Sequence, residues 1–82
     1  MSEETKVQTR EEILQASYDS RVQEVMHYQI NIDNYTLALE EIASMNDPEL
    51  SSFYDQLNKL LASEKMEQKK AKIMLNVLKS QV

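Results

Sequence analysis

The chain contains no cysteine, no glycine and no tryptophan, and it has a single proline. Without cysteine it cannot form a disulfide framework, and this composition favours a reducing compartment. Without glycine it has no phosphate-binding loop and lacks the residue on which most tight turns of β-sheet proteins depend. We therefore expect an all-α protein.

Long apolar runs are absent as well. No run exceeds three residues, as in Ile73-Met74-Leu75, whereas a membrane-spanning helix needs about 20 apolar residues. This pattern predicts a soluble, cytoplasmic protein with no membrane partner. With 82 residues, the chain is one domain with a marginal core, so we expect association to supplement its packing.

The strongest positive signal is a heptad pattern, in which mostly apolar residues recur at alternating spacings of four and three. Such a repeat keeps one seam of a helix facing a partner helix. In the first half of the chain the seam positions are Leu14, Tyr18, Arg21, Val25, Tyr28, Ile32, Tyr35, Leu39 and Ile42. In the second half they are Leu50, Tyr54, Leu57, Leu61, Glu64, Gln68, Ala71, Leu75, Leu78 and Val82.

Capping signals set the expected boundaries. Thr9 and Glu12 have the spacing of a capping box at a helix start. The one strong breaker is Asn46-Asp47-Pro48-Glu49, in which Asp47 can cap a new helix that begins with Pro48. We predict a mobile tail at 1–8 and a single antiparallel hairpin domain at 9–82. Its parts are helix 1 at about 10–45, a turn at 46–48 and helix 2 at about 48–80.

The seam of the second helix is polar in its middle. In an antiparallel hairpin Glu64 and Glu67 come level with residues 27–30, where a carboxylate can meet the Tyr28 hydroxyl or His27. A buried polar layer of this kind fixes the register of packed helices.

Both helices also carry apolar residues away from the seam, which a lone hairpin leaves exposed. The simplest way to cover them is a homodimer in which two hairpins form a coiled-coil-like four-helix bundle. The alternative is a docking face for another protein. The predicted interface residues are Met26, Ile30, Leu37, Met66, Ile73 and Val77.

Charge is distributed unevenly along the chain. Residues 1–57 hold twelve acidic and three basic side chains, and residues 58–82 hold two acidic and six basic ones. The lysines of helix 2 are expected to match the acidic start of helix 1, within one chain or between subunits. With a net charge of −5 and no aromatic residues among the lysines, the pattern does not favour nucleic acid as a partner. An acidic face that mimics nucleic acid is an alternative use of the charge.

Catalytic motifs are sparse. Glu24 and His27 have the Glu-x-x-His spacing found in di-metal carboxylate bundles. However, Val25 and Tyr28 hold the seam, so Glu24 lies at its flank and His27 points outward. We predict no catalytic residues, no metal, no cofactor and no enzymatic activity.

The residues around the turn, Ala38 to Ala43 followed by Asn46-Asp47-Pro48-Glu49-Leu50 and Tyr54, resemble the helix–turn–helix centre of type III secretion needle and inner-rod subunits. The resemblance covers about 17 of 82 residues and implies a helical hairpin, with a secretion subunit or its co-chaperone as one possible function. A separate alternative, independent of this resemblance, is a viral or accessory protein that inhibits a cellular target. The function predicted from the residues themselves is protein binding, as an adaptor, chaperone or inhibitor.

Overall fold

The computed structural model describes residues 7–82 as two long helices that fold back on each other. The first helix, α1, is Arg10–Met45, and the second, α2, is Ser51–Lys79. A single 3-10 turn, Pro48–Leu50, precedes α2. The prediction of an all-α hairpin is confirmed for the described residues. The predicted tail lies outside them except for Val7 and Gln8, which come before α1 and are exposed.

The start of α1 is fixed by the capping box. The Thr9 hydroxyl accepts a hydrogen bond from the Glu12 amide at 3.1 Å, and the Glu12 carboxylate accepts one from the Thr9 amide at 2.8 Å. Two amides that the helix itself leaves without partners are thereby satisfied. With 36 residues, α1 is about 54 Å long at 1.5 Å per residue.

The turn reverses the chain at Asn46, which adopts the left-handed conformation with φ 54° and ψ 40°. Asparagine tolerates this conformation better than most residues, so the chain turns here without a glycine. Asp47 then caps the next segment by accepting a hydrogen bond from the Glu49 amide at 3.0 Å.

The second helix starts later than the sequence indicated. The Leu50 amide bonds to the Asp47 carbonyl at 3.0 Å, which is the tighter i to i−3 pattern of a 3-10 turn. The expected range of about 48–80 therefore divides into this turn and the α-helix Ser51–Lys79.

The two helices meet along the heptad seam. Every seam position of α1 is buried or half-buried, and so is every seam position from Leu50 to Leu78. The most buried side chains, 4–8% exposed, are Ile32, Leu39, Leu57, Gln68 and Ala71. Val82 was wrongly included in the seam: it lies beyond the end of α2 and is 65% exposed.

Candidate interaction surfaces

The polar layer in the middle of the seam is centred on Gln68. Its amide donates to the Val25 carbonyl at 3.2 Å and to the Gln29 side-chain oxygen at 2.9 Å. One α2 side chain thus links two successive turns of α1. Since these bonds form only when Gln68 lies beside Val25, the layer favours one register of the hairpin.

Glu64 also bridges the helices, but to a partner the sequence did not indicate. Its carboxylate accepts a hydrogen bond from the Asn31 amide at 2.6 Å, whereas a contact with Tyr28 or His27 was expected. The neighbouring Glu67 pairs within its own helix with Lys70, at 3.2 Å. Asn31 lies one position outside the seam, so an analysis of seam residues alone overlooks it.

Tyr28 lies half-buried beside this layer. Burial raises the pKa of its phenol above the ordinary value of 10.0, and the carboxylates of Glu24, Glu67 and Glu64 raise it further, while Arg21 lowers it. The phenol therefore stays protonated at neutral pH. In this form the hydroxyl is a neutral group that can donate a hydrogen bond.

The Glu24 and His27 pair is spread over the flank of α1. Glu24 forms an ion pair with Arg21 at 2.8 Å, and His27 is exposed. Within residues 7–82, no group of three or more His, Asp and Glu side chains is arranged to hold a metal ion.

Within the described residues of one chain, the expected charge matching between the helices is not made by direct contacts. The ion pairs within residues 7–82 join neighbours on one helix, Arg21 with Glu24 and Lys70 with Glu67. The heptad positions explain this difference. Three lysines of α2 each follow a seam position by one residue: Lys65, Lys72 and Lys79. The α1 residues at the same heptad position, which lie on the same side of the hairpin, are uncharged, so these lysines have no carboxylate opposite them.

The predicted interface residues are exposed but do not share one surface. All six have exposed fractions between 46% and 62%. Met26, Ile30 and Leu37 lie on the side of α1 that faces away from α2, which we call the outer edge of α1. Met66 and Ile73 form the outer edge of α2. These edges point in opposite directions, so one flat partner cannot cover both. That these residues form an interface stays a prediction.

Val77 lies elsewhere, in an open groove of about 1130 Å³ between the N-terminal half of α1 and the C-terminal half of α2. Its apolar lining includes Ile13 and Met74, and its polar lining includes Glu24 and His27. The groove runs along one broad side of the hairpin, where both helices present their flanks.

Further apolar side chains continue this side toward the turn. Phe53 and Leu60 precede Met74 at multiples of seven residues, and Met45 follows the groove residue Glu24 in the same way. Heptad spacing keeps such residues on one side of the pair. We call this side the groove face and define its apolar set, all 43–55% exposed, as Ile13, Met45, Phe53, Leu60, Met74 and Val77. The seven-residue spacing from Phe53 to Met74 was the signal that could have revealed it.

The opposite broad side is polar. There α2 presents Ser51, Asn58, Lys65, Lys72 and Lys79, and α1 presents Gln15, Val22, Gln29, Thr36 and Ala43. None of these is a large exposed apolar residue. The hairpin thus has one broad side whose apolar residues can pack against a partner and one polar side that can remain exposed to solvent.

Comparison with known proteins identifies no relative: no family model, no curated protein and no solved structure matches this chain. The resemblance to secretion hairpins at the turn therefore stays a prediction from local sequence. Neither helix of the described residues has the length and hydropathy needed to cross a bilayer.

Proposed function

We propose that this chain is a non-enzymatic protein-interaction module, a small acidic hairpin that forms a homodimer and serves another protein as adaptor, chaperone or inhibitor. One observation carries the proposal. In the described residues only four apolar side chains are buried, while thirteen large apolar side chains are at least 43% exposed. A chain that leaves more large apolar side chains exposed than it buries is expected to cover some of them by association.

The arrangement of the apolar surface supports more than one contact. The groove face and the two outer edges point in different directions, so a dimer that covers one of them leaves others for a different protein. Methionines contribute to all three surfaces: Met26, Met66 and Met74 are each 43–53% exposed. Their flexible side chains adapt to a partner's shape.

Photo-crosslinking tests the proposal in cells. A photoreactive amino acid replaces Leu37 on the outer edge of α1 or Ile73 on that of α2, and Asn58 on the polar side is the matched control. We expect discrete protein adducts, identified by mass spectrometry, from Leu37 or Ile73 and none from Asn58. Equal labelling at all three positions, or none at the outer edges, would contradict the proposal.

A further inference from the structure

We propose that the groove face binds a second copy of the chain with the two hairpins antiparallel, so that the turn of each lies beside the open end of the other. This inference rests on the self-association proposed above and adds its surface and its orientation. It leaves the outer edges of both helices free for another protein.

The choice of surface follows from where apolar side chains are exposed. A second hairpin can pack along the whole length of the pair only on a broad side. Of the two broad sides, the groove face carries six large exposed apolar residues, whereas the polar side is bordered by one in the helices, Met26. At about 54 Å by two helix diameters, its area is roughly 1,000 Å², which exceeds the roughly 800 Å² that each partner buries in a standard stable interface.

Contacts across the hairpin establish which residues lie level with one another. Asn31 is bonded to Glu64 and Arg10 to Gln81. Counting from the Asn31–Glu64 contact with the same rise in both helices, Leu60 lies level with Tyr35, and Met74 with Arg21.

The midpoint of α1 falls at His27 and Tyr28. A two-fold axis through this level places Met74 of one copy over Leu60 of the other. Because this axis sets α1 of one copy against α1 of the other, it also places Ile13 within one turn of Met45 of the second copy. The apolar residues at each end of one groove face then pack against those at the opposite end of the second copy's groove face. The polar middles of the two groove faces lie against each other.

Charge selects the antiparallel orientation. The half nearest the turn, residues 31–64, holds seven acidic side chains and one lysine, a net charge of −6. The open half, residues 7–30 and 65–82, holds five acidic and seven basic side chains, a net charge of +2. A parallel dimer sets the two strongly negative halves side by side, whereas the antiparallel dimer sets each beside a positive half.

One pair of groove-face charges, Glu41 and Arg10, agrees with this choice, whereas Glu67 lies at the level of the axis and does not distinguish the two orientations. Glu41 follows the groove residue His27 by two heptads, and Arg10 bonds to the groove residue Gln81. In a parallel dimer Glu41 lies level with the same glutamate of the second copy. In the antiparallel dimer it approaches the level of Arg10, which carries the opposite charge.

Cysteine crosslinking of the purified full chain tests the surface and the orientation together, because the described residues contain no native cysteine. We mix the Leu60→Cys chain with the Met74→Cys chain and add a short bis-maleimide reagent. We expect crosslinked heterodimers that join the two variants, with at least tenfold less crosslinking of either variant to itself. The matched pair Asn58→Cys and Lys72→Cys, at similar levels on the polar side, should give none.

Other outcomes would overturn the inference. Crosslinking of the Met74→Cys chain to itself would indicate a parallel dimer. Crosslinking of the control pair would show that the second copy binds the polar side and not the groove face. A wild-type chain that sediments as a monomer at tens of micromolar, with no crosslink, would rule out the dimer. Adducts at Leu37 or Ile73 in cells would in that case still support binding to another protein, so the two proposals fail separately.

Discussion

Replacing Gln68 by leucine tests how much its two hydrogen bonds to α1 contribute to the free energy of unfolding. Gln68 is 8% exposed and donates two hydrogen bonds to α1. Losing them costs about 2 kcal/mol at roughly 1 kcal/mol each. Neither acceptor is left stranded, because the Val25 carbonyl keeps its bond within the helix and the exposed Gln29 side chain returns to water.

The leucine offsets this cost by burying apolar surface, which contributes about 1.5–3 kcal/mol. We therefore expect the free energy of unfolding of Gln68→Leu to lie within about 1 kcal/mol of wild type. Gln68→Ala loses the bonds without this gain and should be less stable by about 2 kcal/mol. In a domain of this size that lowers Tm by roughly 8–16 °C.

Thermal melts followed by circular dichroism at one fixed chain concentration measure both variants, because the Tm of an oligomer depends on concentration. Lys69→Ala, at the exposed neighbouring position, is the control and should change stability by less than about 0.5 kcal/mol. A Gln68→Leu chain that melts below Gln68→Ala would refute the reasoning, since the hydrogen bonds would then contribute far more than their partners indicate.

Two further predictions concern the turn and the phenol of Tyr28. Asp47→Ala removes the cap on the Glu49 amide and should lower the free energy of unfolding, measured in urea titrations, by about 1 kcal/mol. The control Asp55→Ala, at an exposed position within α2, should leave it unchanged. Equal losses in the two variants would argue against the cap. The raised pKa of Tyr28 favours its neutral form in the folded chain, so this stabilisation is present below pH about 10 and is lost as pH rises through the folded-state pKa. Between pH 9 and 11 the Tm of Tyr28→Phe should therefore fall less than the Tm of wild type. An equal fall in both proteins would contradict the raised pKa of Tyr28.

The helical parts of the fold were predictable because their causes are local. Thr9 and Glu12 form a capping box within three residues of each other, and the heptad pattern identified the seam. Asp47 and Pro48 located the turn, but the 3-10 turn before α2 depends on backbone bonds such as that from Leu50 to Asp47, which composition does not indicate.

The candidate interaction surfaces were less predictable, because they depend on how two helices are rotated against each other. Ile30 and Ile73 were correctly expected to be exposed. Their separation onto opposite edges follows only once the seam is taken as the contact between the helices. Phe53 and Leu60 were overlooked because each immediately precedes a seam position, and heptad analysis by itself counts such flanking residues as neither core nor surface.

The single turn also determines the order in which the hairpin can assemble. Its cross-helix contacts are nested around Asn46: Asn31 and Glu64 are 33 residues apart in sequence, and Arg10 and Gln81 are 71 apart. Because the entropy cost of closing a loop grows with its length, contacts nearest the turn form first and each one shortens the loop that the next must close. We therefore expect the hairpin to form from the turn outward, so that its open end, which carries the net positive charge, closes last and frays first.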